Sequence, residues 1–172
     1  MQPVLPFQPD PKLLEGARWL GQTADFLVIP SNTPHLMATE IEAAAGIPIL
    51  SIIDLTVAEV ERRRWQRIGG LALGEPRFYA EPLAKNGLAV EAIGSPLRDL
   101  LGQAILRFMA GHTSMEETAD ALQAVEELRE RGVDGIILGC TEIPLLMGSA
   151  AEAADLINPA QLLAEAAVRH AI

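Results

Sequence analysis

The chain has 172 residues, enough for one ordinary domain or for two small lobes that share a core. Apolar residues make up 49% and charged residues 21%, a globular profile, and the net charge of −10 argues against a nucleic-acid or polybasic membrane face. An anionic ligand would have to be held against that field by local donors such as helix N-termini.

No run approaches the roughly 18 apolar residues of a membrane span. The amino-terminal MQPVLPFQPDP lacks the basic-then-apolar pattern of a secretory signal, so the cytoplasm is the expected compartment. A single cysteine, Cys140, precludes a disulfide within the chain. Three scattered histidines and one thiol give no metal-ligand cluster.

Residues 1–11 hold four prolines and read as an extended arm. Lys12 to Gly21 carries a helical stripe of Leu13, Leu14, Ala17 and Leu20, and Asp25 to Ile29 has the length of a buried parallel strand. Pro30-Ser-Asn-Thr-Pro34 is turn chemistry that can open a helix, which then runs from His35 to Ala45 and stops at Gly46. Ile47 to Ile53 reads as a strand, followed by an amphipathic helix through Arg64. Strands at Ile68–Leu73 and Leu88–Ile93 bracket a helix from Pro76 to Lys85. Helices follow near Leu97–Ala110 and Met115–Arg131, the latter capped by Thr113 or Ser114. Val133 to Leu138 is a buried strand, Gly139 to Glu142 its exit turn, and Pro159 to Ala171 the last helix. Strands alternating with helices imply right-handed crossovers and a mostly parallel sheet.

Two segments share one plan. Asp25-Phe-Leu-Val-Ile-Pro-Ser31-Asn-Thr and Asp134-Gly-Ile-Ile-Leu-Gly-Cys140-Thr-Glu each run from an aspartate through a strand to a small nucleophilic side chain six residues on. Loops at strand C-termini are where open α/β sheets bind ligands, so Ser31 and Cys140 are expected at the same edge. Each has two readings. Cys140 is a core cysteine, or a thiol whose pKa is lowered at a helix head. Ser31 is an N-cap, or a poor acid–base group. Asn32 and Thr33 would orient a carboxylate or simply form a polar turn, and His35 is either a surface histidine or a second base. Gly69-Gly70 with Gly74 has the wrong spacing for a dinucleotide site, and Arg62-Arg-Arg64 reads as a solvated face.

Pro30-Ser-Asn-Thr-Pro-His35 and Gly139-Cys-Thr-Glu-Ile-Pro-Leu-Leu146 resemble the aspartate/glutamate racemase family, with its C-N-T-x-H and G-C-T-E-x-P patterns. The stretch from Gly132 to Leu146 fits closely, and the resemblance runs from about Lys12 to the C-terminus. It implies two pseudo-symmetric α/β lobes with mostly parallel sheets flanked by helices. Residues 1–66 with 152–172 would form the first lobe and 67–151 the second, with the site in the cleft between them. It also implies no cofactor, no metal, a small carboxylate substrate and a homo-oligomer, often a dimer. By the same carry-over Cys140 and Ser31 are the catalytic pair, and Asn32, Thr33, Thr141 and Glu142 hold the substrate's polar ends.

Several positions depart from the pattern. Ser31 stands where two-cysteine members carry a thiol, Leu73-Gly-Glu-Pro76 replaces a threonine-bearing turn, and Asn158 sits where aspartate is commoner. The family's opening strand and glycine-rich loop are not visible, so a truncated first lobe is expected, its sheet edge or apolar patch covered by the proline-rich arm or a partner subunit. The expected function is cofactor-independent racemisation or epimerisation of aspartate or glutamate at Cα, impaired or one-sided because of Ser31. The alternatives are a catalytically silent carboxylate-binding relative and a single-cysteine decarboxylase-like enzyme.

Overall fold

Short apolar runs pair side by side, and the helices between them cover both faces. The computed structural model describes residues 10–172 apart from Glu75 and Thr113. The proline-rich residues 1–9 and the Thr113 cap therefore lie outside the described residues, and Pro11 opens the first helix. Helix α1 (Pro11–Leu20) begins where the Asp10 carboxylate accepts the Lys12 N–H, with proline at the first helical position, where its missing N–H is no loss.

Strands β1 (Leu27–Val28) and β2 (Ile49–Leu50) form a parallel pair, Leu27 opposite Ile49. Between them a 3-10 turn (Thr33–Met37) leads into α2 (Ala38–Ala45), which ends at Gly46 in the left-handed conformation, φ 70°. The four-stranded parallel sheet is built from β3 (Arg67–Leu71), β4 (Ala89–Ala92), β5 (Gly135–Leu138) and β6 (Leu156–Ile157), in the order β4-β3-β5-β6. The chain is thus a mixed α/β protein with parallel sheets flanked by helices.

Side-chain alternation along β5 divides the core. Ile136 and Leu138 face the cluster made by α5 (Ser95–Met109), α6 (Met115–Glu130) and α7 (Ile143–Met147), which includes Leu101, Ile105, Ala124 and Leu128. Ile137 faces the opposite cluster, where α3 (Ile52–Arg63), α4 (Arg77–Lys85) and α8 (Pro159–Ala171) bring Ile52, Val60, Tyr79, Leu83 and Leu163 together. Such a strand is apolar on both sides, as its sequence required. A third, smaller cluster of Ala17, Leu27, Ile41 and Ala45 joins α1 and α2 to β1. Gly135 is fixed by contact: a β-carbon there would lie 2.2 Å from the Trp65 ring.

Two expectations change. The strand expected over Ile47–Ile53 is only Ile49–Leu50, because the Ser51 hydroxyl accepts the Asp54 N–H and makes Ile52 and Ile53 the first turn of α3, facing the core. Sequence periodicity also passed over α7 and β6, each shorter than the window in which a period is readable. At the head of α6 an expected cap holds, where Ser114 accepts the Glu116 N–H.

Candidate functional site

Parallel pairing within each sheet sends the exits of β1 and β5 into loops that meet. Ser31 follows β1 and Cys140 follows β5. Between them lies one buried hydrogen bond, from Asn32 Nδ2 to the Gly139 carbonyl at 2.7 Å. Ser31 and Cys140 each neighbour one end of that bond. Covalent geometry then limits their α-carbons to a separation of no more than roughly 16 Å. The two motif tips therefore lie side by side.

Asn32 is 7% exposed and its carboxamide is engaged at both ends, since its Oδ1 accepts the Tyr79 hydroxyl at 2.7 Å. Tyr79, on α4, also packs its ring beneath Gly139, where a β-carbon would meet the Leu71 carbonyl at 2.9 Å and the Tyr79 ring at 3.1 Å. Only glycine permits that approach. Burial, foremost, raises the Tyr79 phenol well above its ordinary value, so it remains a hydrogen-bond donor across the physiological range.

Cys140 is partly buried. Its thiol donates to Glu142 Oε2 at 2.9 Å, and the Thr141 hydroxyl donates to the same oxygen at 3.0 Å. Burial first, then the bond to Glu142 and its negative charge, push the thiol up to about 12. Main-chain N–H groups of Glu142 and Leu73 reach the sulfur and favour the thiolate, but they are outweighed. Of the two sequence readings of Cys140, the thiol of lowered pKa at a helix head is not the one the structure gives. The following helix α7 is only five residues long, and a carboxylate faces the sulfur. Thr141 does not cap that helix either; its hydroxyl is spent on Glu142, and the N-cap position is Glu142 itself.

On the other tip, Ser31 and Thr33 are exposed. Ser31 is not a cap: the position before the 3-10 turn is Asn32, and no hydrogen bond engages the Ser31 hydroxyl among the described residues. His35 is held by main chain at both nitrogens. Its Nδ1–H donates to the Ser31 carbonyl at 2.8 Å, and Nε2 accepts the Ile52 N–H at 3.3 Å. That pattern fixes the neutral Nδ1–H tautomer, and burial lowers its pKa. His35 thus ties the Ser31 loop to the head of α3, with no lone pair left for a base. The main-chain N–H groups of Asn32, Thr33 and Thr141 have no protein acceptor among the described residues, which suits them to a carboxylate.

The remaining signals prove structural. Arg62 pairs with Glu59, Arg63 also reaches Glu59, and Arg64 ends α3 with φ 58°. His170 packs its ring edge-to-face on Phe26, with centroids 4.7 Å apart. Tyr79 is the site residue that sequence reasoning missed. Its spacing to Leu83 puts both side chains on one helix face, the one signal of burial available, and nothing in the sequence named its polar partner. Among the described residues there is no group of His, Cys, Asp and Glu able to hold a metal, and no helix is long and apolar enough to cross a membrane.

Fold and site together define a parallel α/β protein whose two strand-exit tips, one bearing serine and one a thiol, converge on a single locus. Residues 7–167 match the family model for Asp/Glu/Hydantoin racemase, and the chain belongs to that family. It is 25% identical over 162 residues to the broad specificity amino-acid racemase RacX of Bacillus subtilis (strain 168), covering 91% of this chain and 69% of the relative. To the glutamate racemase of Synechococcus sp. (strain CC9605) it is 29% identical over 150 residues, covering 83% of this chain and 55% of the relative. The chain spans about half the length of the glutamate racemases it matches. A crystal structure of a putative Asp/Glu racemase from Yersinia pestis superposes with a TM-score of 0.80 at 30% identity, covering 93% of this chain and 72% of that one.

Proposed function

We propose that this chain exchanges the Cα proton of an acidic amino acid without a cofactor, with Cys140 working one face and the Ser31 side the other. The observation that supports this reading is the Asn32–Gly139 hydrogen bond, because it brings the two tips together beside main-chain N–H groups that have no protein acceptor among the described residues. Those N–H groups, from Asn32, Thr33 and Thr141, would take the α-carboxylate, and the Thr33 hydroxyl would add a donor.

Cys140 rests as a thiol, so its first competence is as an acid that delivers a proton to the Cα carbanion. To act as a base it must first lose its proton to Glu142: the S–H bond breaks, an O–H bond forms on Oε2, and the sulfur lone pair then removes the Cα proton. Ser31 offers a hydroxyl whose pKa lies far above that of any thiol, so removal from its face is slow. The expected reaction is one-sided, with exchange on the Cys140 face outrunning inversion.

The test is incubation of the L and D forms of aspartate and glutamate in deuterated water, following Cα–H loss by NMR and rotation by polarimetry. Exchange of one enantiomer faster than the loss of rotation supports the reading. Absence of exchange with all four, in protein shown to be folded, ends it.

One observation favours a second reading. A single thiol held protonated beside Glu142 suits the protonation of an enolate from one face only, as in decarboxylation of a substituted malonate. Carbon dioxide release from such a malonate, with no exchange into amino acids, would select it.

A further inference from the structure

We infer that Tyr79 is a positioning residue for the reaction: its buried hydroxyl orients the Asn32 carboxamide, which in turn holds the Ser31 loop against the Cys140 turn. The inference rests on the racemase reading above. Four features carry it. Tyr79 is 1% exposed and sits on α4, outside both motifs. Its hydroxyl donates to Asn32 Oδ1 at 2.7 Å, and that bond sets which end of the carboxamide faces Gly139. The amide then donates to the Gly139 carbonyl at 2.7 Å, one residue from the thiol. The Tyr79 ring fills the space beneath Gly139 itself. A single side chain thus supports both tips, from below through its ring and laterally through its hydroxyl. With the hydroxyl removed, Asn32 Oδ1 loses its donor in a buried place, and the carboxamide is free to turn over and face Gly139 with its oxygen.

The experiment compares Tyr79→Phe with Ile105→Val, a buried change on the opposite face of the sheet that matches it as a general core perturbation. Two readouts are taken: kcat and KM for Cα deuterium exchange, and the rate at which Cys140, the sole thiol, reacts with a small aromatic disulfide. For Tyr79→Phe, kcat should fall by about tenfold to a hundredfold with KM changed less than about threefold, since misplacing a reacting group acts on the chemical step. Disulfide reaction at Cys140 should rise by about fivefold as the turn loosens. Ile105→Val should move neither by more than about twofold. If the two variants behave alike in both readouts, the inference is overturned. If wild type shows no exchange, the racemase reading fails, while the disulfide rates still decide whether Tyr79 holds the Cys140 turn. Should Tyr79→Phe not fold, Asn32→Asp replaces it; the lost donor to Gly139 should produce the same rise in Cys140 reactivity, and an unchanged rate would refute the link.

Discussion

The state of Cys140 can be read directly, because no other thiol competes for reagent. The structure holds it up to about 12, against about 8.5 for an ordinary thiol. A gap of that size leaves roughly three-thousandfold less thiolate at neutral pH. A more basic thiolate is also a better nucleophile. With a Brønsted coefficient of about 0.4–0.5, that returns roughly fortyfold. Reaction with a small aromatic disulfide should therefore run on the order of a hundredfold slower than that of a free cysteine, before any further slowing from burial. Its rate should climb about tenfold per pH unit through pH 10 without levelling. Glu142→Gln tests the cause. Burial is the largest contribution and stays, while the negative charge is removed. A fall of roughly one pKa unit gives tenfold more thiolate at pH 8, hence a net gain of about threefold after the loss in nucleophilicity. A wild-type rate that matches free cysteine and levels off by pH 9 would refute this account of the site. So would a Glu142→Gln variant that reacts more slowly than wild type.

The other predictions address the second tip and the scaffold. Ser31→Cys supplies a second thiol opposite Cys140, so the ratio of racemisation to exchange should rise at least about tenfold, measured by polarimetry and NMR on one sample. His35 is half-buried in its neutral form, with its pKa lowered from the usual 6.5. In acid the unfolded histidine binds a proton that the folded one resists, so its contribution to stability is present above about pH 6.5 and lost as pH falls. Urea midpoints between pH 5 and 7.5 should show that slope, and His35→Gln should flatten it. Gly135→Ala drives a β-carbon to 2.2 Å from the Trp65 ring, an overpacking that costs about 1–3 kcal/mol. Calorimetry should show Tm lowered by roughly 2–12 °C, at about 2–4 °C per kcal/mol for a chain of this size. Trp65→Leu in the same molecule should restore part of it.

Most of the architecture was legible before any coordinates. The apolar runs at Val133–Leu138 and Ile68–Leu73 read as strands, and a cap at Thr113 or Ser114 and a stop at Gly46 marked where helices start and end. The repeated plan ending in Ser31 and Cys140 placed both at strand exits, because strand, turn and cap are local chemistry written in consecutive residues. Ile52 and Ile53 show the limit. β-branched and apolar, they read as strand, yet the Ser51 cap and burial against α8 make them helix.

What the tertiary structure alone decided is electrostatic and long-range. A thiol at a loop tip is acidified or raised according to what folds over it, and here burial and Glu142 raise it. Tyr79 and Asn32 lie 47 residues apart, and Asn32 and Gly139 are 107 apart. Propensity and periodicity extend over a dozen residues, so the sequence could name the side chains at each tip. Which of them would share a proton, or a hydrogen bond across the site, depended on the packing of distant elements.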